Sequence, residues 1–284
     1  MKPPAIRKPL PYRTLSIKLG TTALLILISG LVIYPILLLF FTATKSQAEM
    51  VRNPFGFPKE IYMDNFIEVW NTEGLPKFLV NSLVVSGGVV IGTVLLSAFG
   101  GFGLAQLHFP GKRWFRIILV MGLVIPVETL VIPIFYMLRS LGLLSTYFAM
   151  IFPQVALGLP FGILLVSSFT VGLPKELFEA AEIDGCDTWN QFWRIAFPLV
   201  RPALIGVAIF QFIWSWNQYL LPLVVVQNPS MRTIPVMLGY YIGKHGTDFG
   251  KLSAASVILF IPILLFYLIF NRSILGVRLT GALK

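Results

Sequence analysis

The sequence predicts an all-α integral membrane protein with six transmembrane helices, and three observations carry that reading. Hydrophobic residues make up 56% of the chain and charged residues only 12%, against about 25% charged in an average soluble domain. Six apolar runs, at roughly 20–42, 78–102, 115–137, 145–169, 200–225 and 253–274, reach the ~20 residues that a helix needs to cross a hydrocarbon core. Lys and Arg are scattered in short segments beside these runs. The formal net charge of +10 therefore reads as affinity for an anionic membrane surface. A nucleic-acid-binding protein would gather its basic residues on one soluble face, so no nucleic-acid partner is expected. Cys186 is the single cysteine, which excludes an intrachain disulfide.

Residues 1–19 hold Lys2, Arg7, Lys8, Arg13 and Lys18 without an acid, the mark of a cytoplasmic N-terminal segment. The run that follows is too long for the h-region of about 7–15 residues in a cleaved signal, and reads as the first span. The loop 43–77 nets minus one, with Lys45, Arg52, Lys59 and Lys77 against five carboxylates, and is expected outside. Within it YMDNFIEVW at 62–70 predicts a short external helix capped by Asp64, with Phe66, Ile67 and Trp70 turned to the membrane surface.

The second span carries Gly87, Gly88, Gly92, Gly100 and Gly101, with Gly103 just after it. Such residues allow close helix contact, with a hinge as the alternative. Lys112, Arg113 and Arg116 follow on the inner side. The third span contains Pro126 and Pro133, which permit kinks, and Glu128, its only carboxylate. An intramembrane carboxylate marks a pathway or gating residue; alternatively Glu128 sits near the external end of a kinked helix, protonated or bonded to a neighbour. Gln154 in the fourth span, and Gln211 and Asn217 in the fifth, either line a solute path or bond between helices. Trp216 beside Asn217 suits the apolar face and hydroxyl rim of a sugar, and equally suits a membrane interface. The sixth span leads to the tail 275–284, with Arg278 and Lys284, and six crossings place both termini in the cytoplasm.

Between the fourth and fifth runs, residues 174–202 read PKELFEAAEIDGCDTWNQFWRIAFPLVRP. Pro174 fits the first turn of a helix that ends at Asp184-Gly185, where glycine accepts positive φ. Asp187 is a good N-cap for a second helix, which Pro198 is expected to stop. The small side chains of Ala180 and Ala181 leave the first helix open to a docking surface. His108 and His245 stand far apart and form no metal motif, and no GxxxxGK[ST] phosphate loop occurs. Neither a metal site nor ATPase chemistry is expected of this chain.

Glu179-Ala180-Ala181, then Asp184-Gly185, then Ile195 and Pro198, together resemble the cytoplasmic coupling loop of permease subunits of ATP-binding-cassette importers. Cys186 departs from the Ala or Ser common there. FPGKR at 109–113, IPIFYMLRSLGLLSTY at 132–147, SWNQYLLPL at 215–223, RTIPV at 232–236, GTDFG at 246–250 and the LTGALK tail extend the resemblance over nearly the whole chain to the smaller permease of maltose-type carbohydrate importers. The resemblance implies a type I importer permease fold in a bacterial or archaeal cytoplasmic membrane, working by alternating access. It also implies partners: a second permease in a heterodimer, a pair of ATPase subunits docked at the coupling loop, which themselves hold the ATP and Mg, and an external solute-binding protein. The cargo it implies is a sugar or oligosaccharide, with glycerol phosphate or a related polyol ester as alternative. An ion-coupled secondary transporter is the reading from another class; it lacks support, because no inverted repeat and no intramembrane carboxylate beyond Glu128 is visible.

Overall fold

The computed structural model describes residues 11–71, 74–243 and 246–281. Lys2, Arg7, Lys8, Glu73, His245 and Lys284 lie outside the described residues, and so do the end of the predicted tail and most of the predicted basic segment.

The chain opens with α1 (Pro11–Ala43), α2 (Gln47–Arg52), α3 (Asp64–Asn71) and α4 (Leu75–Gln106). Helix α1 exposes apolar side chains from Leu19 to Phe40, a surface suited to hydrocarbon or to another membrane helix and not to water. Ser46 caps α2 by accepting from the Glu49 amide at 3.3 Å. Asp64 turns out to be the first residue of α3 and not its cap. Ile67 and Trp70 face outward as expected, but Phe66 packs inward beside buried Val69. Beside α3, Lys45 is fully buried. Its Nζ donates to the carbonyls of Asn53 at 2.7 Å and Gly56 at 2.6 Å, while Asn65 Nδ2 donates to the carbonyls of Ala43 and Lys45. The segment after α1 is thus wound around an ammonium group.

The longest interface joins α4 to α7 (Tyr147–Val171). Gly88, Gly92, Gly100 and Gly101 of α4 meet Ile151, Val155, Ile163 and Val166, so closely that an added Cβ would fall 2.7, 2.9, 2.9 and 2.6 Å from those side chains. These four glycines are packing positions; Gly87 and Gly103 have open or ordinary surroundings. Thr146 caps α7, and Pro153 and Pro160 lie within it without breaking it.

Two of the predicted spans are not single helices. The third divides into α5 (Lys112–Val124) and α6 (Val127–Ser140), bent by 103°. Pro126 has no amide hydrogen and pushes Ile125 to an extended ψ of 120°, so the ladder stops there. The fifth is preceded by α8 (Lys175–Ile183), α9 (Thr188–Gln191), a π-helical turn at Phe192–Ala196 and α10 (Phe197–Leu199), before α11 (Arg201–Trp216). The α9–α10 arm meets α11 at a 70° bend. The predicted run to 225 ends early, because Asn217 closes α11 and Pro222 belongs to the first turn of the separate α12 (Leu220–Val225). Next come α13 (Ile234–Leu238), the two-residue strands β1 (Ile242–Gly243) and β2 (Gly246–Thr247), paired antiparallel, and α14 (Phe249–Gly281). Four described helices are long and apolar enough to cross a membrane, and the spans number six if each bent pair counts as one. Apart from the small β ladder, the all-α expectation holds.

Candidate functional site

The polar hairpin is built around two caps. At the end of α8, the Cys186 amide donates to the Ala181 carbonyl at 2.8 Å and the Gly185 amide to Glu182 at 3.0 Å, with Gly185 at φ +79°. This is a Schellman ending, which requires a left-handed residue at that position. Asp187 then caps α9, its Oδ1 accepting from the Asn190 amide at 2.8 Å. Pro174 sits one residue before α8, not in its first turn.

Pro198 does not stop the second arm. The Phe197 amide reaches back to the Phe192 carbonyl across the π turn, and this wider turn absorbs the missing proline donor, so helix continues to Leu199. The docking alanines also divide. Ala180 is exposed, whereas Ala181 is 7% exposed and faces the core. A helix turns about 100° per residue, so adjacent alanines cannot share a face. The outward surface is made by Glu179, Ala180, Asp184 and Gly185 together with Ile183, which is 87% exposed. Ile183 was not singled out in the sequence; an aliphatic residue between Glu182 and Asp184 at a helix end was the available signal.

The inward surface is aromatic. Phe192 stacks on Phe99 of α4 at 4.7 Å between ring centroids and meets Phe102 edge-on at 5.4 Å, and Phe178 of α8 lies 6.5 Å from Phe102. Trp189 and Trp193 flank Phe99, each at 5.9 Å. Such pairs contribute about 0.5–1.5 kcal/mol each beyond their buried area. The cluster runs on through Val166 of α7 and Ala203, Leu204 and Val207 of α11, with half-buried Ile195 against it; Pro198 is exposed. The hairpin is therefore seated on three membrane helices at once. Between α8 and the end of α4 lies a polar cavity of about 610 Å³, with Lys175, Glu179 and Glu182 on one side and Gln106 and His108 on the other. Among the described residues no three His, Cys, Asp or Glu side chains come together to hold a metal ion.

The predicted path residues scatter. Glu128 is exposed in the first turn of α6, just past the break and not within a continuous span. Gln154 is fully buried and donates to the Met150 carbonyl of its own helix at 2.9 Å, so it does not bridge helices through that bond. Asn217 likewise folds back on Ile213 at 2.8 Å as an exposed C-cap. Trp216 is fully buried, and its Nε1 donates to the Leu259 carbonyl of α14 at 3.0 Å. It stacks on Phe212, one turn earlier and on the same face, so it is an anchor between α11 and α14 and lines no path. Gln211 falls on another face of α11, 1% exposed, beside Gly158 of α7. Further polar bonds between elements come from α4. Asn81 donates to the carbonyls of Ser230 and Arg232 and accepts from Tyr147, while Ser82 accepts from the Ile234 amide. These two residues stood unmarked in the second apolar run.

Known proteins share this arrangement. Residues 94–275, from the end of α4 through the hairpin into α14, match the family described as binding-protein-dependent transport system inner membrane component. The diacetylchitobiose uptake system permease protein NgcG of Streptomyces coelicolor is 35% identical over 256 residues, covering 89% of this chain and 85% of that one. The arabinooligosaccharides transport system permease protein AraQ of Halalkalibacterium halodurans is 33% identical, covering 90% and 93%. A chain of the bacterial ABC transporter involved in import of the acidic polysaccharide alginate superposes with a TM-score of 0.81 over 94% of this chain and 99% of that one, at 20% identity. The fold is thus that of type I importer permeases. With so much of its length matched, the chain belongs to the family of binding-protein-dependent transport system inner membrane components, membrane-embedded transport subunits and not enzymes.

Proposed function

We propose that this chain is one permease of an ATP-driven importer for a sugar or oligosaccharide, forming half of the translocation path. The carrying observation is the hairpin's seating: its outward surface is open to a partner, while its inward aromatic surface is continuous with α4, α7 and α11. The names of the relatives, transporters of diacetylchitobiose and arabinooligosaccharides, support the cargo class.

In this reading a pair of ATPase subunits binds ATP and Mg and receives Glu179, Ala180, Ile183, Asp184 and Gly185. Closure of that pair pushes on α8 and on the π-turned arm, and the push reaches the membrane helices through Phe178, Phe192, Phe99 and Phe102. A second permease completes the path, and a solute-binding protein delivers cargo from the other side. Lys112, Arg113 and Arg116 lie at the hairpin end, so that end is cytoplasmic, both termini are cytoplasmic and the Lys45 segment is external. Glu128, Gln154, Gln211 and Asn217 are the remaining path candidates.

The test is to purify the assembled complex with its binding protein and to measure ATPase stimulation and uptake across a panel of sugars, oligosaccharides and glycerol phosphate. A sugar that stimulates hydrolysis and is accumulated supports the proposal. Accumulation of glycerol phosphate alone changes the cargo, and hydrolysis indifferent to every solute refutes the reading.

A further inference from the structure

Where α5 gives way to α6, a cavity of about 160 Å³ opens between the break, α7 and α11. Its walls include Ile125 at the break, Gly158 and Phe161 halfway along α7, and Phe210, Gln211 and Trp214 of α11. Phe161 and Phe210 lie against each other at 4.6 Å between centroids. Gln211 is 1% exposed, yet its Oε1 has no hydrogen-bond partner. Its amide rests on Gly158 so closely that a Cβ there would lie 2.5 Å from Nε2, and the glycine is what gives the amide room.

An amide oxygen buried in an apolar membrane bundle without a donor is a standing cost, relieved only when something brings one. A cavity of about 150 Å³ holds one benzene molecule, so this one has the size of a single six-membered ring. An acyl chain would fill the aromatic walls and leave Oε1 unpaired; a water would serve Oε1 and leave the aromatic walls bare. A sugar ring does both, with an apolar C–H face for the aromatics and a hydroxyl rim for the amide.

We infer that this chain itself supplies a binding subsite for one six-membered ring of the transported sugar, with Gln211 Oε1 accepting from a ring hydroxyl and Phe161, Phe210 and Trp214 covering the ring face. The inference rests on the importer reading above and assigns this permease direct contact with cargo.

The test uses the complete complex in liposomes, with diacetylchitobiose and then maltotriose as probes, and reads sugar moved per ATP hydrolysed. Gln211→Leu removes one hydrogen bond to the cargo and is expected to lower that ratio about tenfold, and Trp214→Leu is expected to lower it too. Trp214→Leu keeps the test decisive should Gln211→Leu fail to assemble. A ratio unchanged in the variants overturns the subsite, whether uptake stays high or falls in step with hydrolysis, since a packing role moves both together. A wild-type complex that moves neither probe sinks the six-membered ring and leaves the importer reading to the wider panel.

Discussion

The rings of Phe99 and Phe192 stack 4.7 Å apart, one from the end of α4 and one from the π turn of the hairpin. This pair is the shortest aromatic link between a membrane helix and the hairpin proposed to receive the ATPase. Phe192→Ala would remove a side chain 2% exposed, a loss of about 3–5 kcal/mol when a core cannot collapse. Phe192→Leu keeps the apolar bulk and loses the stacking. We expect the Leu variant to assemble and to hydrolyse ATP while transport falls severalfold, measured as uptake per ATP.

Gly185→Asp tests the docking tip. Within this chain an added Cβ at Gly185 meets nothing within 4 Å, so the intrinsic cost is the left-handed backbone alone, roughly 1–2 kcal/mol. Any larger effect comes from the docked partner. The expected outcome is normal membrane insertion with loss of ATPase co-purification and of transport. Glu179→Ala should weaken retention of the ATPase by the worth of a charge-assisted bond, about 1.5–3 kcal/mol. Retention and uptake at wild-type levels in both variants would refute the coupling role.

Two glycines of the α4–α7 interface separate side-chain from backbone crowding. A Cβ at Gly162 would run into Ser97 Oγ, whereas one at Gly101 would meet Val166 and also the Ser167 backbone nitrogen at 2.9 Å. Each Ala variant should lose about 1–3 kcal/mol to overpacking. Ser97→Gly should restore much of the loss in Gly162→Ala, while Val166→Ala should do little for Gly101→Ala. Thermal unfolding in detergent gives the comparison.

Lys45 predicts an order of unfolding. Lys45→Met leaves the half-buried carbonyls of Asn53 and Gly56 without their donor, at up to about 1–3 kcal/mol for each. Residues 44–62 should then become protease-sensitive while the membrane helices keep their protection. Equal protease resistance in variant and wild type would exclude the cage as the source of order.

Sidedness has a direct assay. Ala48 is exposed in α2, so Ala48→Cys in a Cys186→Ala background should react with an impermeant thiol reagent in intact cells. Labelling only after lysis would reverse the assigned topology.

Much of the hairpin could be read from residues whose geometry is local. Gly185 and Asp187 reveal their roles because a Schellman ending and an N-cap involve only neighbours. The prolines do not, since Pro126 ends a helix, Pro153 and Pro160 ride inside α7, and Pro198 is absorbed by a π turn. The same ring meets three different surroundings, and the surroundings decide. Trp216 was beyond reach for a related reason, because its partner Leu259 belongs to α14. Asn81 is the opposite case, a lone amide in an apolar run whose partners lie across the fold.

The pairing of α1 with α14 bears on biosynthesis. Among the described helices, the first to leave the ribosome packs chiefly against the last. Closing that contact spans nearly the whole chain, the kind of long-range pairing that forms late. Until α14 is inserted, the apolar flank of α1 rests on lipid alone, so a nascent chain halted before Phe249 presents an unpaired membrane helix to the quality-control machinery. The contact between α1 and α14 therefore forms only after every described helix between them has been made.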